Sequence, residues 1–325
     1  MKFIDLFSGV GAVEMALKEL GIDFTTVGIS EIAKNPIKMY NDIHGKTLNF
    51  GDIKKIKELP ECDYIHFSSP CQSFSLAAKA TNNQTGIKGK SGLILEVYRL
   101  FDNYKERNML PKYFTFENVK ELTEKFKDDW NDFLKFFDNI GYNVTWDILR
   151  AVDFDTPQLR ERVFAVGIRK DLNETFEMPQ GHFTNLRLKD FLLPHEEVSE
   201  EFYHPDIRAK ERHFRKLPPK EKSPIELGYY YTEKSKKRCQ TNKIYSPEGL
   251  APTLTTTNGI NLEVGTERLR QITPQETWRL MGFKDEDFYK IKNMPKSAII
   301  SVCGNSIALG PIKAILKNLF LKEEN

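Results

Sequence analysis

The chain has 325 residues, of which 40% are hydrophobic and 29% charged, and its net charge is only +2. This is a soluble globular composition, long enough for one large domain and a smaller one. No apolar run approaches the ~20 residues of a membrane span, the N-terminus lacks the apolar stretch and cleavage site of a signal peptide, and Cys62, Cys71, Cys239 and Cys303 show no C-x-x-C spacing, which argues against a zinc site, a disulfide framework and an oxidising compartment. The expectation is a cytoplasmic protein with no membrane partner and no metal.

Residues 2–7 read as a strand and 12–20 as a helix stopped at Gly21. Residues 24–29 form a second strand pattern, and a helix begins over 35–41 with Pro36 at a tolerated early position. A strand at 64–68, a helix at 92–105, a strand at 113–116 and a longer helix within 120–139 follow. The stretches 143–149 and 162–168 are β-rich. Strands separated by helices at these distances predict an α/β fold with a parallel, doubly wound, Rossmann-like sheet. In such sheets ligands bind at the carboxyl ends of the strands. Residues 80–91 interrupt the pattern with a polar loop; following Cys71, it is placed to act as a lid, though a surface excursion has the same composition.

After Lys170 the alternation stops, and Pro-rich and charged stretches predict a smaller, irregular, β-rich domain. From His204 to Lys243 there are twelve Lys/Arg against five Asp/Glu, an excess of seven in a chain of net +2. Such a patch suits a polyanion, and equally a solvated Lys-rich surface. Regular patterning returns near Arg268, and residues 298–319 read as a strand, a Gly-Asn turn and a helix. The expected division is a catalytic domain of residues 1–190 plus 296–325 and a second domain of residues 191–295.

Several short stretches carry chemistry. Asp5-Leu6-Phe7-Ser8-Gly9-Val10-Gly11-Ala12 is a strand, a glycine turn and a helix start, where glycine lets the backbone approach a ligand. Glu14 stands where a dinucleotide fingerprint has its third glycine, which counts against NAD. Glu31, at the end of the second strand, is suited to ribose hydroxyls, and Asp52 to an adenine amino group; each alone is equally a cap or turn residue. In series with the glycine turn they describe an adenosine site without phosphates, and S-adenosylmethionine is such a ligand. Ser69-Pro70-Cys71-Gln72-Ser73-Phe74-Ser75 places a thiol, the strongest nucleophile among the side chains when ionised, in a polar turn after a strand. Glu117, after residues 113–116, is a carboxyl group that partial burial can keep protonated. Arg160 and Arg162 present two guanidinium groups before residues 163–168, and Gly304-Asn305-Ser306 forms a turn before the last helix.

Together these stretches resemble the ordered motifs of the DNA cytosine-C5 methyltransferase family of bacterial and phage restriction-modification systems. DLFSGVG resembles its cofactor motif, SPCQSFS its nucleophile loop, ENV its acid motif and QLRER its Q-x-R-x-R motif. RQITPQETWRLMGF and GNS resemble its closing motifs. The order matches over the whole chain except residues ~190–267.

The resemblance implies a methyltransferase domain that binds S-adenosylmethionine, releases S-adenosylhomocysteine, and carries a target recognition domain. It implies that Cys71 attacks carbon 6 of a flipped cytosine, that Glu117 engages nitrogen 3, and that Arg162, supported by Arg160, holds the base carbonyl. Phe7, Gly9, Gly11, Glu31, Asp52, Pro70 and Asn305 fall at cofactor positions. Gln72, Ser75, Lys88, Lys90, Arg208, Arg212, Lys237, Arg238 and Thr253 are candidate contacts to double-stranded DNA. A monomer is expected, with a cognate restriction endonuclease as a possible partner. The chain departs from the family pattern at Ser301, where Gln is frequent, at Lys90-Ser91 for Arg-Gly, and at Ile32, where an aromatic often stacks on adenine. The rival readings are an RNA cytosine methyltransferase, whose tRNA branch carries a Cys-Phe-Thr signature not found here, an inactive DNA- or cofactor-binding scaffold, and a nicotinamide oxidoreductase.

Overall fold

The computed structural model describes residues 1–70, 92–204, 212–214, 223–230, 242–256, 259–264 and 268–321. Cys71, Gln72, Ser75, Lys88, Lys90, Arg208, Lys237, Arg238 and the 80–91 loop lie outside these residues, and Arg212 falls in a strand described by its backbone alone. The chain forms two compact units: Met1–Leu149 with Glu161–Gly181 and Pro311–Asn325, and Arg150–Arg160 with His182–Gly310.

The first unit is built on a six-stranded sheet. Its strands are β1 (Lys2–Leu6), β2 (Thr25–Ser30), β3 (Tyr64–Phe67), β4 (Tyr113–Val119), β5 (Tyr142–Arg150) and β6 (Glu161–Arg169), in the spatial order β2-β1-β3-β4-β6-β5. Neighbours among β2, β1, β3 and β4 pair in parallel. Helices α1 (Ala12–Glu19), α2 (Lys34–His44) and α3 (Leu93–Glu106) make the crossovers, and parallel strands need such connections. Two short runs, Phe3–Ile4 and Tyr64–Phe67, are buried, as expected for central strands covered on both faces. One side of the sheet is filled by aromatic rings: Phe67 packs within 6.4 Å, centroid to centroid, of Phe101, Phe114, Phe116, Phe133 and Phe137. This cluster fixes the strand that leads into Ser68, Ser69 and Pro70.

Three expectations for the first unit need correction. The sheet is mixed and not wholly parallel, because β6 runs antiparallel to β4 from Tyr113↔Ile168 to Val119↔Arg162. That seven-residue pairing extends β4 through Glu117-Asn118-Val119, so the acid stands within the strand and not after it. The single helix expected within 120–139 is two, α4 (Glu121–Glu124) and α5 (Lys127–Ile140).

The second unit has its own five-stranded sheet, in the order β11-β10-β9-β8-β7, from β7 (Arg212–Phe214), β8 (Glu226–Tyr230), β9 (Lys243–Tyr245), β10 (Asn261–Val264) and β11 (Arg268–Gln271). This agrees with the expected β-rich character. After it come α6 (Pro274–Arg279), α7 (Asp285–Ile291), α8 (Lys296–Asn305) and α9 (Leu309–Phe320). Thr273 and Glu276 form a capping box at the start of α6. Glu276 also takes both guanidinium nitrogens of buried Arg270, at 2.8 and 2.7 Å, and the Leu193 N–H at 2.8 Å. The strand expected near residue 298 is instead the helix α8. Its β-branched run misleads, but Ala298, Ile299, Val302 and Cys303 are the buried positions, a helical spacing. No single helix among the described residues is long and apolar enough to cross a membrane.

Candidate active site

The turn after β1 has three residues with positive φ, Phe7 (60°), Gly9 (56°) and Gly11 (77°). Phe7 and Ser8 donate their N–H groups to Ser30 O on β2, at 2.7 and 3.2 Å. The two glycines do different work. A Cβ on Gly11 would lie 2.6 Å from His44 Nε2 and 2.7 Å from Tyr40, so this glycine lets α2 approach α1. A Cβ on Gly9 would meet nothing within 4 Å; the space above it is open.

Glu31 faces that space from the end of β2. One carboxylate oxygen accepts from Gly9 N at 3.1 Å and the other from Ile32 N and Ala33 N, both at 2.8 Å. Asn49 fixes the backbone of Glu31 from both sides, accepting from its N–H at 3.2 Å and donating to its carbonyl at 3.0 Å. The Ile32 side chain is 71% exposed beside this carboxylate. Asp52 caps a short turn, accepting from Lys54 N at 3.1 Å. Glu14 is no ligand: it is buried beneath the turn, where it accepts from the Tyr40 hydroxyl, from Thr26 at 3.0 Å and from Lys18 at 2.9 Å. Burial pushes its carboxyl up, but His44, Tyr40 and Lys18 outweigh that and hold it below the usual carboxylate range. Asp5 and Ser8 each keep a buried polar oxygen with no hydrogen-bond partner among the described residues, and burial pushes the Asp5 carboxyl well above its usual range.

Open space over a glycine, a carboxylate with acceptor capacity, an exposed apolar side chain and a second carboxylate suit a nucleoside with a cationic tail.

Next to this turn, the ends of β3, β4 and β6 bring an acid and an arginine together. Glu117 is buried, and its Oε1 lies 3.2 Å from Arg162 Nε. Ser68, following β3, donates to Glu117 Oε2 at 2.9 Å and reaches its carbonyl at 3.2 Å. Asn118 ties β4 to the segment entering Cys71, donating to Ser69 O at 3.1 Å. Glu117 and Arg162, read from separate motifs, are thus neighbours on one antiparallel ladder.

Within the second unit, residues 157–160 are held on several sides. Gln158 donates to Leu280 O at 2.9 Å and accepts from Leu254 N at 3.1 Å; Leu159 and Ala251 are joined by their backbones; Thr253 donates its hydroxyl to Leu159 O. Arg160 is buried, and its guanidinium donates to Gly304 O at 3.3 Å and to Ser306 O at 2.6 Å. Its donors therefore brace the turn that carries Asn305, whose side chain is exposed. A Cβ on Gly304 would fall 2.5 Å from the Thr255 backbone, so glycine is what allows the turn to rest on the Thr253–Thr256 segment.

The family described as "C-5 cytosine-specific DNA methylase" matches residues 1–321. The chain belongs to that family. The methylase is 32% identical to an orphan methyltransferase, M.Rho11sI of Bacillus phage rho11s, over 78% of its own length and 57% of that relative's. It is 28% identical to the type II methyltransferase M2.ScrFI of Lactococcus lactis subsp. cremoris, over 98% of its own length and 99% of the relative's. The solved structure of the Schizosaccharomyces pombe (S. pombe) Dnmt2 methyltransferase superposes with a TM-score of 0.69 at 18% identity, over the whole of both chains; that likeness bears on the fold alone. The activity is that of a DNA (cytosine-5-)-methyltransferase, and the family uses S-adenosylmethionine.

Sequence reasoning missed Ser68, Asn49 and Gln158 as positioning residues. Gln158 stood in a recognised motif, but its partners lie 96 and 122 residues away. Ser68 and Asn49 gave no local signal beyond a polar residue at a strand end.

Proposed function

We propose that the methylase modifies cytosines in a specific duplex sequence by covalent catalysis from Cys71. The observation that supports this most is the Glu117–Arg162–Ser68 cluster, built at the ends of β3, β4 and β6, the first of which leads directly into Pro70 and Cys71. Carbon 5 of cytosine is a weak nucleophile. Addition of the Cys71 thiolate to carbon 6 makes the ring an enamine and moves electron density toward nitrogen 3 and the carbonyl. Glu117 shares a proton with nitrogen 3, and Arg162 neutralises charge growing on the carbonyl oxygen. The target base is rotated out of the stack, at a cost of about a few kcal/mol. S-adenosylmethionine, when bound, would supply the methyl group for carbon 5, with S-adenosylhomocysteine as the product. Loss of the carbon-5 proton and departure of Cys71 restore the ring.

Phe7, Gly9, Gly11 and Pro70 would hold the methionine end of the cofactor, Glu31 the ribose, Asp52 the adenine and Asn305 the same ligand from the closing motif. Arg160 acts as a positioning residue through the turn it braces. The recognition role falls to residues 191–295, with Gln72, Ser75, Lys88, Lys90, Arg208, Arg212, Lys237, Arg238 and Thr253 on DNA. The protein works as a monomer in the cytoplasm, free of metal, alone or beside a cognate endonuclease.

The test is methyl transfer from labelled cofactor to DNA from a methylation-free host, with modified sites mapped by sequencing. The native protein is expected to mark cytosines in one sequence and Cys71→Ser to mark none. Transfer to tRNA with none to DNA would overturn the substrate assignment, and full activity in Cys71→Ser would overturn the nucleophile.

A further inference from the structure

We infer that Ser68 is a positioning residue that holds Glu117 Oε2 and so directs the carboxyl's proton-sharing to Oε1. The inference rests on the reading of Glu117 as the group that engages cytosine nitrogen 3.

The two oxygens of Glu117 stand in unlike surroundings. Oε2 accepts the Ser68 hydroxyl at 2.9 Å. Oε1 is buried and has no partner of hydrogen-bond geometry among the described residues, with Arg162 Nε 3.2 Å away as an ion-pair contact. A hydroxyl has one proton to donate. While it is given to Oε2, that oxygen is engaged, and Oε1 is the one left to meet the base. The ring nitrogen and the carboxyl then share their proton through Oε1, on the side where Arg162 holds the carbonyl. If Oε2 were the one protonated, it would turn its O–H back on Ser68, whose own proton has the Glu117 carbonyl within reach at 3.2 Å; that arrangement presents nothing to the base. Ser68 therefore separates a productive from an unproductive proton position.

The charged and titratable groups around Glu117 leave this role to Ser68. Arg162, from β6, faces Oε1 and also donates to Glu161 O at 2.8 Å. Lys120, just past β4, is engaged with Glu161 at 2.5 Å. His66, two residues before Ser68 on β3, is bonded to Thr115 at 2.8 Å. Among the described residues, none of these groups bonds to Oε2.

The experiment uses full-length protein under single-turnover conditions, with a duplex carrying the mapped target. Native enzyme, Ser68→Ala, Ser68→Thr and Glu117→Gln are compared. For Ser68→Ala the methyl-transfer rate is expected to fall roughly tenfold, the loss of one hydrogen bond to a charged group, while DNA affinity should stay within about twofold. Ser68→Thr, which keeps the hydroxyl, should restore the rate. An undiminished rate in a folded Ser68→Ala protein, a loss that appears in DNA affinity instead of rate, or no recovery in a folded Ser68→Thr protein would overturn the inference. Undiminished transfer by Glu117→Gln would instead overturn the reading of Glu117 itself, so the two failures are distinct.

Discussion

Replacing Gly304 by alanine sets two effects of opposite sign against each other. Gly304 lies in α8, and alanine in a helix is favoured over glycine by about 1 kcal/mol. Against this, the new Cβ would stand 2.5 Å from Thr255 C, 2.6 Å from its O and 2.6 Å from Thr256 N. All three are backbone atoms, so no rotamer change relieves the contact, and the segments must part by roughly 1 Å to reach ordinary carbon contact. Overpacking of this kind costs about 1–3 kcal/mol. Parting the segments also strains the Arg160 bonds to Gly304 O, already 3.3 Å long; losing a bond to a buried charged group costs about 1.5–3 kcal/mol. The clash therefore wins, with a net loss of about 2–4 kcal/mol and a melting temperature lower by roughly 3–6 °C. Calorimetry or thermal circular dichroism measures this directly. A Gly304→Ala protein as stable as the native one, or more so, would mean that the close approach of this turn to Thr255 is not a constraint.

The glycine turn allows a sharper test of cofactor placement. Gly9→Ala introduces a methyl into open space at φ 56°, a backbone cost of about 1–2 kcal/mol, but S-adenosylmethionine affinity by titration calorimetry should fall at least tenfold; unchanged affinity would move the cofactor elsewhere. His66 provides a pH prediction. Burial lowers its pKa to about 3, below the ordinary value near 6.5, so the unfolded chain takes up the proton first as pH falls. The contribution of neutral His66 is complete above pH ~6.5 and is lost progressively down to about 3, about 2 kcal/mol of it by pH 5. Denaturant titrations of the native protein should therefore steepen below pH 6.5, and those of His66→Gln should be flatter over the same window; parallel slopes would count against a buried neutral imidazole.

The sequence makes legible those features whose cause is local. The glycine turn, the helix stop at Gly21 and the alternation of strands and helices through residue 119 follow from short-range patterns, and the structure agrees with them. What escapes depends on partners far along the chain. Read locally, Glu117 falls after its strand, because no local signal says that β6 pairs on through Val119. Residues 298–303 look like a strand because Ile299 and Ile300 are β-branched, yet tertiary burial of one helical stripe decides the matter. Ser68 meets a carboxylate 49 residues away, and Asn49 fixes Glu31 across 18. Glu14 was informative for what it excludes, and only the structure gives its positive role as the buried acceptor for Tyr40, Thr26 and Lys18.

The second unit is assembled from two separated stretches, so the chain passes between units four times, after Leu149, Arg160, Gly181 and Gly310. A module in space is therefore not a module in sequence. An engineer exchanging residues 191–295 for those of a relative would leave Gln158 and Leu159 behind, and with them the bonds to Leu254, Ala251 and Leu280. A viable chimera must bring a matching Ala251–Leu254 backbone, or carry the eleven residues Arg150–Arg160 across with the graft. The second unit is thus inherited together with its Arg150–Arg160 strip, and recombination points that respect the strip are the ones that should yield folded hybrids.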